Sequence, residues 1–337
     1  MPPWDRRIPR AHLALGLLAL AAALAVGVPL AAQRLRTNEP VVPMKPPPID
    51  GDRAYGYLKD LCAIGPRPAG SAANTKQREL VAKHFRKHGA SLSEQPFSGR
   101  DPRSGEVVNM VNLVGSWHPE RTERVLLGAH YDTRPFPDED PIPANRTKTF
   151  LGANDGASGV ALLMELAHHL NELPTPWGVD LVLFDGEEIV YGRGQVQEGE
   201  YFLGSKEFAR LYAEQVDSGR SKKRYVAALV LDMVGDRDLQ IDQEENSYSL
   251  HPGLVREVWA VARRLKATAF RHRVGRGVLD DHLPLNNVGI PAIDIIDFDY
   301  RYWHTAQDLP EHCSGASLEQ VGRVVGAWLT LSKSRSR

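Results

Sequence analysis

Cysteine is scarce in this sequence, which has only Cys62 and Cys313 among its 337 residues. Two thiols cannot form a cysteine-based zinc cluster or a disulfide scaffold, so both of these protein classes are excluded. One bridge between Cys62 and Cys313 remains open, and in an oxidising compartment it would tie the start of the folded region to its end. Two unrelated buried thiols are an equally good interpretation of the pattern.

A charge excess is also missing. The formal net charge is −1, with 41 Lys and Arg against 42 Asp and Glu. We therefore expect no nucleic acid and no acidic polymer as a partner. Internal repeats are absent as well. The chain is 42% hydrophobic and 25% charged, which is typical of a globular protein with one large domain or two small ones.

A long apolar run lies near the N-terminus. Three arginines precede an uncharged, Ala- and Leu-rich run from about residue 13 to 32, which is the pattern of an export signal. About 20 residues also suffice to span a bilayer, with the arginines kept inside. Residues 1–32 are therefore expected to be a signal peptide or a signal anchor, and in the second case residues 12–32 would hold the protein on the membrane. Either outcome places the rest of the chain outside the cytoplasm, in the periplasm or the extracellular space.

The remaining chain divides into a spacer and one folded domain. Residues 33–49 are proline-rich and predict an extended linker, so the domain is expected to span residues 50–337. Helical spacing covers residues 50–63, 73–88 and 317–331. Apolar runs predict strands at residues 107–114, 124–130, 179–184, 225–232 and 290–296.

The predicted strand at residues 179–184 leads to two adjacent carboxylates. Gly186 permits a sharp turn, and Glu187 and Glu188 follow at the carboxyl edge of the strand. Ligands bind at that edge of an open α/β sheet, because the loops that leave the strands diverge there. The pair suggests one metal ligand and one proton carrier, although a solvated surface pair is the ordinary alternative.

Other chelating residues end other predicted strands. His130 closes one strand and is followed by Asp132, a spacing that fits a metal ligand with a carboxylate in the site or in its hydrogen-bond network. Asp232 closes a further strand. Residues 134–150, rich in Pro and Asp, predict a long loop that walls the site.

Asp155 lies among small residues just before a helical pattern at residues 160–170. A helix cap would account for Asp155 without any metal. Capping does not require the flanking Gly152, Gly156 and Gly159, however, and glycines let the backbone approach a ligand closely.

Six imidazoles and carboxylates thus lie at or just beyond the ends of successive predicted elements: His130, Asp155, Glu187, Glu188, Asp232 and His304. Imidazole nitrogen and carboxylate oxygen suit Zn²⁺, and no thiolate competes for the ion. Any single member could be structural, but the joint pattern predicts a zinc site.

Six ordered segments resemble the zinc aminopeptidase superfamily, which also contains the glutaminyl-peptide cyclotransferases (glutaminyl cyclases): GAHYDT, GANDGASGVA, DGEE, LDMVGD, DDHLP and YWHT. The resemblance spans roughly residues 50–335. It implies an α/β three-layer sandwich of the phosphorylase/hydrolase-like type, in which helices flank a mixed, mostly parallel β-sheet. It also implies a zinc-dependent catalytic domain that acts on the N-termini of peptides or proteins.

In the aminopeptidase branch, the resemblance implies two zinc ions. Glu187 would be the base that activates a water for attack on the peptide carbonyl. The matching metal ligands would be His130, Asp155 as the bridge, Glu188, Asp232 and His304.

In the cyclase branch, the resemblance implies one zinc ion held by Asp155, Glu188 and His304. The metal polarises the side-chain carbonyl of an N-terminal glutamine. Glu187 carries a proton from the attacking α-amine to the departing amide nitrogen, and Asp232 orients the amine. Pyroglutamate and ammonia result.

Three features favour a cyclase. Residues 191–200 form a long excursion where simple aminopeptidases have a short link. The doubled acid Asp280-Asp281 is similar to a cyclase loop, and Trp303 directly before His304 offers an aromatic wall for a small neutral side chain. We therefore expect Trp303, Asp280 and Asp294 to contact the substrate.

Some features depart from the cyclase pattern. Animal cyclases have histidine where this chain has Asp294, and a tryptophan in the excursion where this chain offers Tyr191, Tyr201 and Phe202. Bacterial cyclases are more similar at residues 290–296, whereas residues 154–159 look more like the peptidase form. We predict a glutaminyl-peptide cyclotransferase of bacterial type with one zinc ion, and the alternative is a dinuclear aminopeptidase.

Overall fold

The structure, a computed structural model, describes residues 46–189 and 201–331. The predicted export segment, most of the predicted linker and residues 191–200 of the excursion, with Tyr191, lie outside the described residues. Within the described ranges, no helix is long and apolar enough to cross a lipid bilayer.

Eight α-helices and eight β-strands are defined in the described part of the chain. The helices are α1 (Gly51–Cys62), α2 (Ala72–Lys87), α3 (Ala157–Ala167), α4 (Leu203–Asp217), α5 (Glu245–Leu250), α6 (Pro252–Leu265), α7 (His282–Asn287) and α8 (Gly315–Trp328). The strands are β1 (Ser91–Arg100), β2 (Val107–Trp117), β3 (Glu123–His130), β4 (Gly178–Phe184), β5 (Arg224–Asp232), β6 (Ile241–Gln243), β7 (Phe270–Val274) and β8 (Ala292–Ile296). All five predicted strands and the three predicted helices at α1, α2 and α8 are confirmed within a few residues.

Six strands form one sheet in the order β1-β2-β4-β3-β5-β8. Strands β4, β3, β5 and β8 are parallel, while β1 and β2 add an antiparallel edge. Helices pack on both faces, which gives the predicted three-layer α/β sandwich with a mixed, mostly parallel sheet. Strands β6 and β7 form a separate pair.

The alternation of side chains along each strand divides the core between the two faces of the sheet. Val125 and Leu127 of β3 belong to a large cluster with α1, α2, α3, α6 and α8. Leu126 joins Phe208 of α4 and Leu285 of α7 in a smaller cluster on the other face. Because β3 and β4 are buried on both faces, their sequences are continuous apolar runs rather than alternating ones.

A buried ion pair lies near the amino ends of the parallel strands. The side chains of Arg124 and Asp180 are 0% and 1% exposed, and Arg124 Nη2 is 2.6 Å from Asp180 Oδ1. Arg124 Nε also donates to Asp180 Oδ2 at 2.7 Å. The hydroxyls of Ser116 and Tyr225 donate to the same carboxylate. This paired network therefore holds the end of β3 that lies opposite His130.

Two glycines let the first and last described helices touch. A Cβ on Gly51 would lie 2.4 Å from the carbonyl oxygen of Gly315, and a Cβ on Gly315 would lie 2.5 Å from the carbonyl oxygen of Gly51. Any larger residue at either position would overlap backbone atoms, so α1 and α8 meet by direct backbone contact. Asp50 and Ser314 cap the two helices at this junction.

Several parts of the described structure differ from the sequence expectations, among them the following. Strand β1 has no predicted counterpart, because its side chains alternate between half-buried and exposed and are mostly polar. Helix α6, which packs on α8, is likewise not predicted. Residues 280–284, which include the doubled acid expected in a loop, are largely buried and lead into helix α7.

Cys62 and Cys313 are both buried free thiols. They belong to the same large cluster, where each packs as a small apolar side chain. Ile49 lies in this cluster as well, at 7% exposure. The described core therefore includes the last residue of the predicted linker.

Candidate active site

The predicted site residues meet at the carboxyl edge of the parallel strands. His130 and Asp232 are the last residues of β3 and β5. Glu187 and Glu188 follow β4, and Asp155 lies two residues before α3. His304, in the segment after β8, joins the same group: its Nε2 is 3.0 Å from Glu188 Oε1. The fold thus collects donors that are distant in sequence, as expected for ligands at this edge of an α/β sheet.

The turn that carries the two glutamates is fixed by Gly186 and Asp132. Gly186 has φ +76°, and a Cβ there would lie 2.3 Å from the sulfur of Met110. The backbone amides of Glu187 and Glu188 donate to the two carboxylate oxygens of Asp132, at 3.1 and 3.0 Å. Asp132 therefore shapes the turn through hydrogen bonds, which is one of the two roles that the sequence predicts for it.

One group of ligands consists of Asp155, Glu188 and His304. All three are buried, and one donor atom from each lies within 4.8 Å of the others. His304 Nε2 is 3.3 Å from Asp155 Oδ2. His304 has φ +54°, a left-handed conformation that is uncommon for a residue with a side chain and is concentrated at functional sites. Two carboxylates and an imidazole are a donor set that suits Zn²⁺.

A second group consists of His130, Asp155 and Asp232, again within 4.8 Å of one another. His130 Nε2 is 3.2 Å from both Asp155 Oδ1 and Asp232 Oδ1. Asp155 belongs to both groups and directs one carboxylate oxygen to each imidazole. The two groups together therefore contain the donors expected for a dinuclear site, and the first group alone contains those expected for a mononuclear site.

Arg134 and Asp308 complete the site, and neither is among the residues predicted from the sequence. Arg134 forms an ion pair with Glu188 and a second one, at 2.7 Å, with Asp138. Asp308 accepts hydrogen bonds from the backbone amides of Asn154 and Asp155, at 2.8 and 3.1 Å, and so fixes the loop that carries Asp155. Arg134 follows the HYD segment closely in sequence, but Asp308 has no comparable signal.

Charges around the metal-ligand candidates set their protonation. Although burial acts in the opposite direction, Arg134 and His304 lower the pKa of Glu188. Burial also opposes a positive charge on His304, yet Glu188 and Asp155 raise the pKa of His304 to about 9. Since a metal ligand must be a neutral imidazole, metal binding at His304 is expected to release a proton.

Glu187 belongs to a cluster of acids on the other side of the cavity. One oxygen from each of Glu187, Asp280 and Asp281 lies within 4.8 Å of the others. Burial raises the pKa of Glu187 well above its usual value; His130 opposes this shift and Asp280 and Asp281 reinforce it. Burial and Asp280 raise the pKa of Asp281 to about 7. Closely spaced acids of this kind cannot all ionise, so the cluster retains protons at neutral pH.

These residues face a cavity of about 310 Å³. The Trp303 ring stacks on the His304 ring, with centroids 3.9 Å apart and an interplanar angle of 24°. The Phe298 ring packs against the Trp303 ring, with centroids 5.2 Å apart. The lining also includes Arg134, Asp155, Glu187, Glu188, Tyr201, Phe202, Asp232, Val278, Leu279 and Asp280. The cavity thus combines an aromatic wall with a wall of acids.

Two of the three predicted substrate contacts, Trp303 and Asp280, line this cavity. Asp294 does not: its side chain is fully buried in β8, and it interacts with Asp280 and lies 3.8 Å from His282 Nδ1. Burial, together with Asp280, raises the pKa of Asp294 well above its usual value. Asp294 therefore supports the acid cluster from behind rather than contacting the cavity.

Known proteins resemble this chain over most of its length. It is 42% identical to the crystal structure of Fimbriiglobus ruber glutaminyl cyclase, with a TM-score of 0.82 over 86% of this chain and 97% of that one. It is 29% identical to a Zn-dependent exopeptidase from Parabacteroides distasonis, with a TM-score of 0.79 over 86% of this chain and 100% of that one. A glutaminyl-peptide cyclotransferase of Gloydius blomhoffii is 24% identical over 266 residues, which cover 69% of this chain and 68% of that protein.

A family model also matches the region that contains most of the site. The model of peptidase family M28 matches residues 112–329, a range that includes all six predicted ligands and acids. Since this match extends over more than half of the chain, the protein belongs to peptidase family M28.

Proposed function

We propose that this protein is a zinc-dependent glutaminyl-peptide cyclotransferase, which converts an N-terminal glutamine of peptides or proteins to pyroglutamate and releases ammonia. The observation that carries this proposal is the 42% identity to a bacterial glutaminyl cyclase over 86% of the chain. The cavity is consistent with it, because an aromatic wall beside buried acids suits a small, neutral amide side chain next to an amine.

The proposed cofactor is one zinc ion held by Asp155, Glu188 and His304. When bound there, zinc supplies Lewis-acid polarisation of the substrate's side-chain carbonyl. Arg134 keeps the Glu188 carboxylate charged and occupies one of its oxygens, which leaves the other oxygen beside His304 Nε2. The stacked Trp303 ring holds the His304 ring in position.

Glu187 is the proposed proton carrier. It lines the cavity, and its raised pKa suits a carboxyl group that must both accept and give up a proton near neutral pH. In the reaction, the α-amine nitrogen bonds to the side-chain carbonyl carbon and loses a proton to Glu187. Glu187 then protonates the amide nitrogen as its bond to that carbon breaks, so ammonia leaves and no water is consumed.

Asp232 is the proposed anchor for the α-amine. Burial raises the pKa of Asp232 to about 7, with His130 acting against this shift. Asp232 lines the same cavity as Glu187, and a carboxyl group there can accept a hydrogen bond from the substrate amine. Asp280 lines the cavity beside them.

A dinuclear aminopeptidase is the second candidate. The observation in its favour is the compact group of His130, Asp155 and Asp232, which shares Asp155 with the zinc site proposed above. In that case Glu187 would take a proton from water rather than from an amine.

One experiment separates the two functions. The purified, zinc-loaded protein is incubated with a peptide that begins with glutamine and with its leucine counterpart, and the products are identified by mass spectrometry. A cyclase removes ammonia from the glutamine peptide and leaves the leucine peptide unchanged. Release of free leucine or glutamine would contradict the cyclase and establish the aminopeptidase.

We also propose that residues 1–32 direct export, so that the domain acts on extracytoplasmic N-termini. The support is the arginine-led apolar run in the sequence. N-terminal sequencing of the protein recovered from the periplasm or medium tests this proposal, and a start after residue 32 would identify a cleaved signal. Recovery of the protein from the cytoplasm alone would contradict it.

A further inference from the structure

Three histidines form a cluster between α2 and α3, outside the catalytic cavity. His84 and His88 are four residues apart, so they lie on one face of α2, where His88 caps the helix. His168 caps the carboxyl end of α3. Asp155 lies just before the other end of α3, and the 11 residues of that helix separate the two places by about 17 Å, at 1.5 Å per residue.

The three rings converge. The ring centroids of His88 and His168 are 4.0 Å apart, those of His84 and His88 are 4.6 Å apart, and those of His84 and His168 are 5.3 Å apart. One ring nitrogen from each lies within 4.8 Å of the other two. All three side chains are partly exposed. Small rotations of such rings would bring the nitrogens to the spacing of ligands that bind one ion at about 2.0–2.1 Å.

Hydrogen bonds orient two of the rings as they do in metal sites. His84 Nε2 lies 2.8 Å from the carbonyl oxygen of Met164. Since a carbonyl oxygen can only accept, Nε2 carries the proton and Nδ1 keeps a lone pair for a ligand. His168 Nε2 is 2.7 Å from the hydroxyl of Tyr57. Metal-binding histidines commonly have such a partner on the nitrogen that does not bind the ion.

His88 is the third member of the cluster. Its Nε2 is buried and has no hydrogen-bond partner among the described residues. The residue itself is fixed, because Trp117 Nε1 and Asn171 Nδ2 donate to its carbonyl oxygen at 2.8 and 2.9 Å. Packing alone would be served equally well by apolar rings, which have no nitrogen to leave unsatisfied.

Burial and neighbouring positive charges favour the neutral form of all three rings. Burial and the charge of Arg53 lower the pKa of His168 to about 4, and burial lowers the pKa of His84, so both rings are neutral ligands at pH 7. Arg53 is itself paired with the buried Glu165 at 2.7 Å. Glu165 also lies 3.3 Å from His169 Nε2.

We propose that His84, His88 and His168 form a three-histidine site for a divalent transition-metal ion of the Zn²⁺ type, separate from the catalytic centre. Three imidazoles and an open fourth position suit Zn²⁺, Ni²⁺ or Cu²⁺, and they exclude Mg²⁺ and Ca²⁺, which prefer oxygen ligands. The bound ion would tie the carboxyl end of α2 to that of α3.

The test is a zinc titration of the full chain by calorimetry, with elemental analysis after equilibration at fixed free Zn²⁺. We expect His88→Gln and His168→Asn to bind the ion of this site at least tenfold more weakly than the wild type does. At fixed free Zn²⁺, the wild type should therefore retain one zinc equivalent more than either variant. His272→Gln, at an exposed position on β7, is the matched control and should equal the wild type. Identical titrations of His88→Gln, His168→Asn and His272→Gln would overturn the proposal.

A second measurement covers the case in which a substitution weakens the fold. Because an ion that binds only the folded state stabilises it, added Zn²⁺ should raise the Tm of the wild type and of His272→Gln, and this increment should be lost in His88→Gln and His168→Asn. An equal rise in Tm on addition of Zn²⁺ in all four proteins would also overturn the proposed three-histidine site. Ammonia release from a glutamine peptide should be the same in all four, so failure of this proposal is distinct from failure of the cyclase proposal.

Discussion

Arg134 and Glu188 form an ion pair at the wall of the cavity, with the Arg134 side chain 13% exposed and the Glu188 side chain 5% exposed. The same carboxylate has its other oxygen 3.0 Å from His304 Nε2. The two carboxylate oxygens of Glu188 therefore have different partners. Oε2 is paired with Arg134, and Oε1 is directed toward the group of metal-ligand candidates. Because Arg134 orients Glu188, we expect it to increase the affinity of the site for metal without contacting the ion.

Substitution Arg134→Met should weaken zinc binding about 10–100-fold, as is typical when a group that orients a metal ligand is removed. The measurement is competition for zinc against a chelator of known affinity. Arg220→Met, at an exposed position, is the control and should leave affinity unchanged. Wild-type affinity in Arg134→Met would contradict this role.

Substitution Glu187→Gln should retain zinc but reduce turnover about 10²–10⁴-fold, because the proton carrier is lost while the proposed ligands remain. Ammonia release and zinc content are measured on the same preparation. The exposed Glu120→Gln serves as control. Unchanged turnover in Glu187→Gln would remove Glu187 from the mechanism.

Substitution His130→Ala distinguishes one working metal from two. With a mononuclear cyclase, the variant should keep one zinc equivalent at the catalytic centre and most of its turnover at its own pH optimum, because His130 would ligate only a second ion. The count is made in the His88→Gln background, so that the three-histidine site does not contribute. Combined loss of one catalytic zinc equivalent and of turnover would favour the dinuclear enzyme.

Stability should depend on Glu244 in acid. Burial alone would raise the pKa of this carboxyl group, but hydrogen bonds from His282, Ser247 and Val278 lower it to about 2. A lowered folded-state pKa contributes stability above the unfolded value of about 4.3, and this contribution is lost as pH falls through about 2. Urea unfolding of the wild type and of Glu244→Gln, compared between pH 6 and pH 2, should show about 3 kcal/mol less pH dependence in the variant. Equal pH dependence in both proteins would be evidence against this account.

Substitution Arg124→Met should reduce the free energy of unfolding by about 3–5 kcal/mol, because it leaves the buried Asp180 carboxylate without its charge partner. The double variant Arg124→Met with Asp180→Leu should recover much of that loss, since no charge then remains buried. Urea unfolding at pH 7 measures both. A single variant within about 1 kcal/mol of the wild type would show that the pair contributes little.

The sheet could be predicted from the sequence where burial leaves a clear pattern. Strands β3, β4 and β5 are buried on both faces and appear as apolar runs. Two of the site residues could be predicted for the same reason, because His130 and Asp232 are polar residues that end such runs. Strand β1 was not predicted, since it is a polar edge strand whose pairing with β2 depends on backbone hydrogen bonds rather than on hydrophobic pattern.

The remaining site residues depend on the path of irregular loops. Arg134 and Asp308 lie in segments without helical or strand periodicity, so their approach to Glu188 and Asp155 follows only from the folded chain. Asp294 is the opposite case, a residue that was expected to line the cavity but does not. Its position relative to the cyclase pattern led to the expectation of a substrate contact, but its side chain is buried within the sheet and interacts with Asp280.

The backbone contact between Gly51 and Gly315 links the first described helix to the last. Helix α1 buries Ala54, Leu58 and Leu61, and part of that surface is supplied by α8. At about 5–20 residues per second, ribosomal synthesis separates these two helices by tens of seconds. The nascent chain therefore cannot close its domain until α8 has been made, and until then α1 is a segment that a chaperone can still hold unfolded.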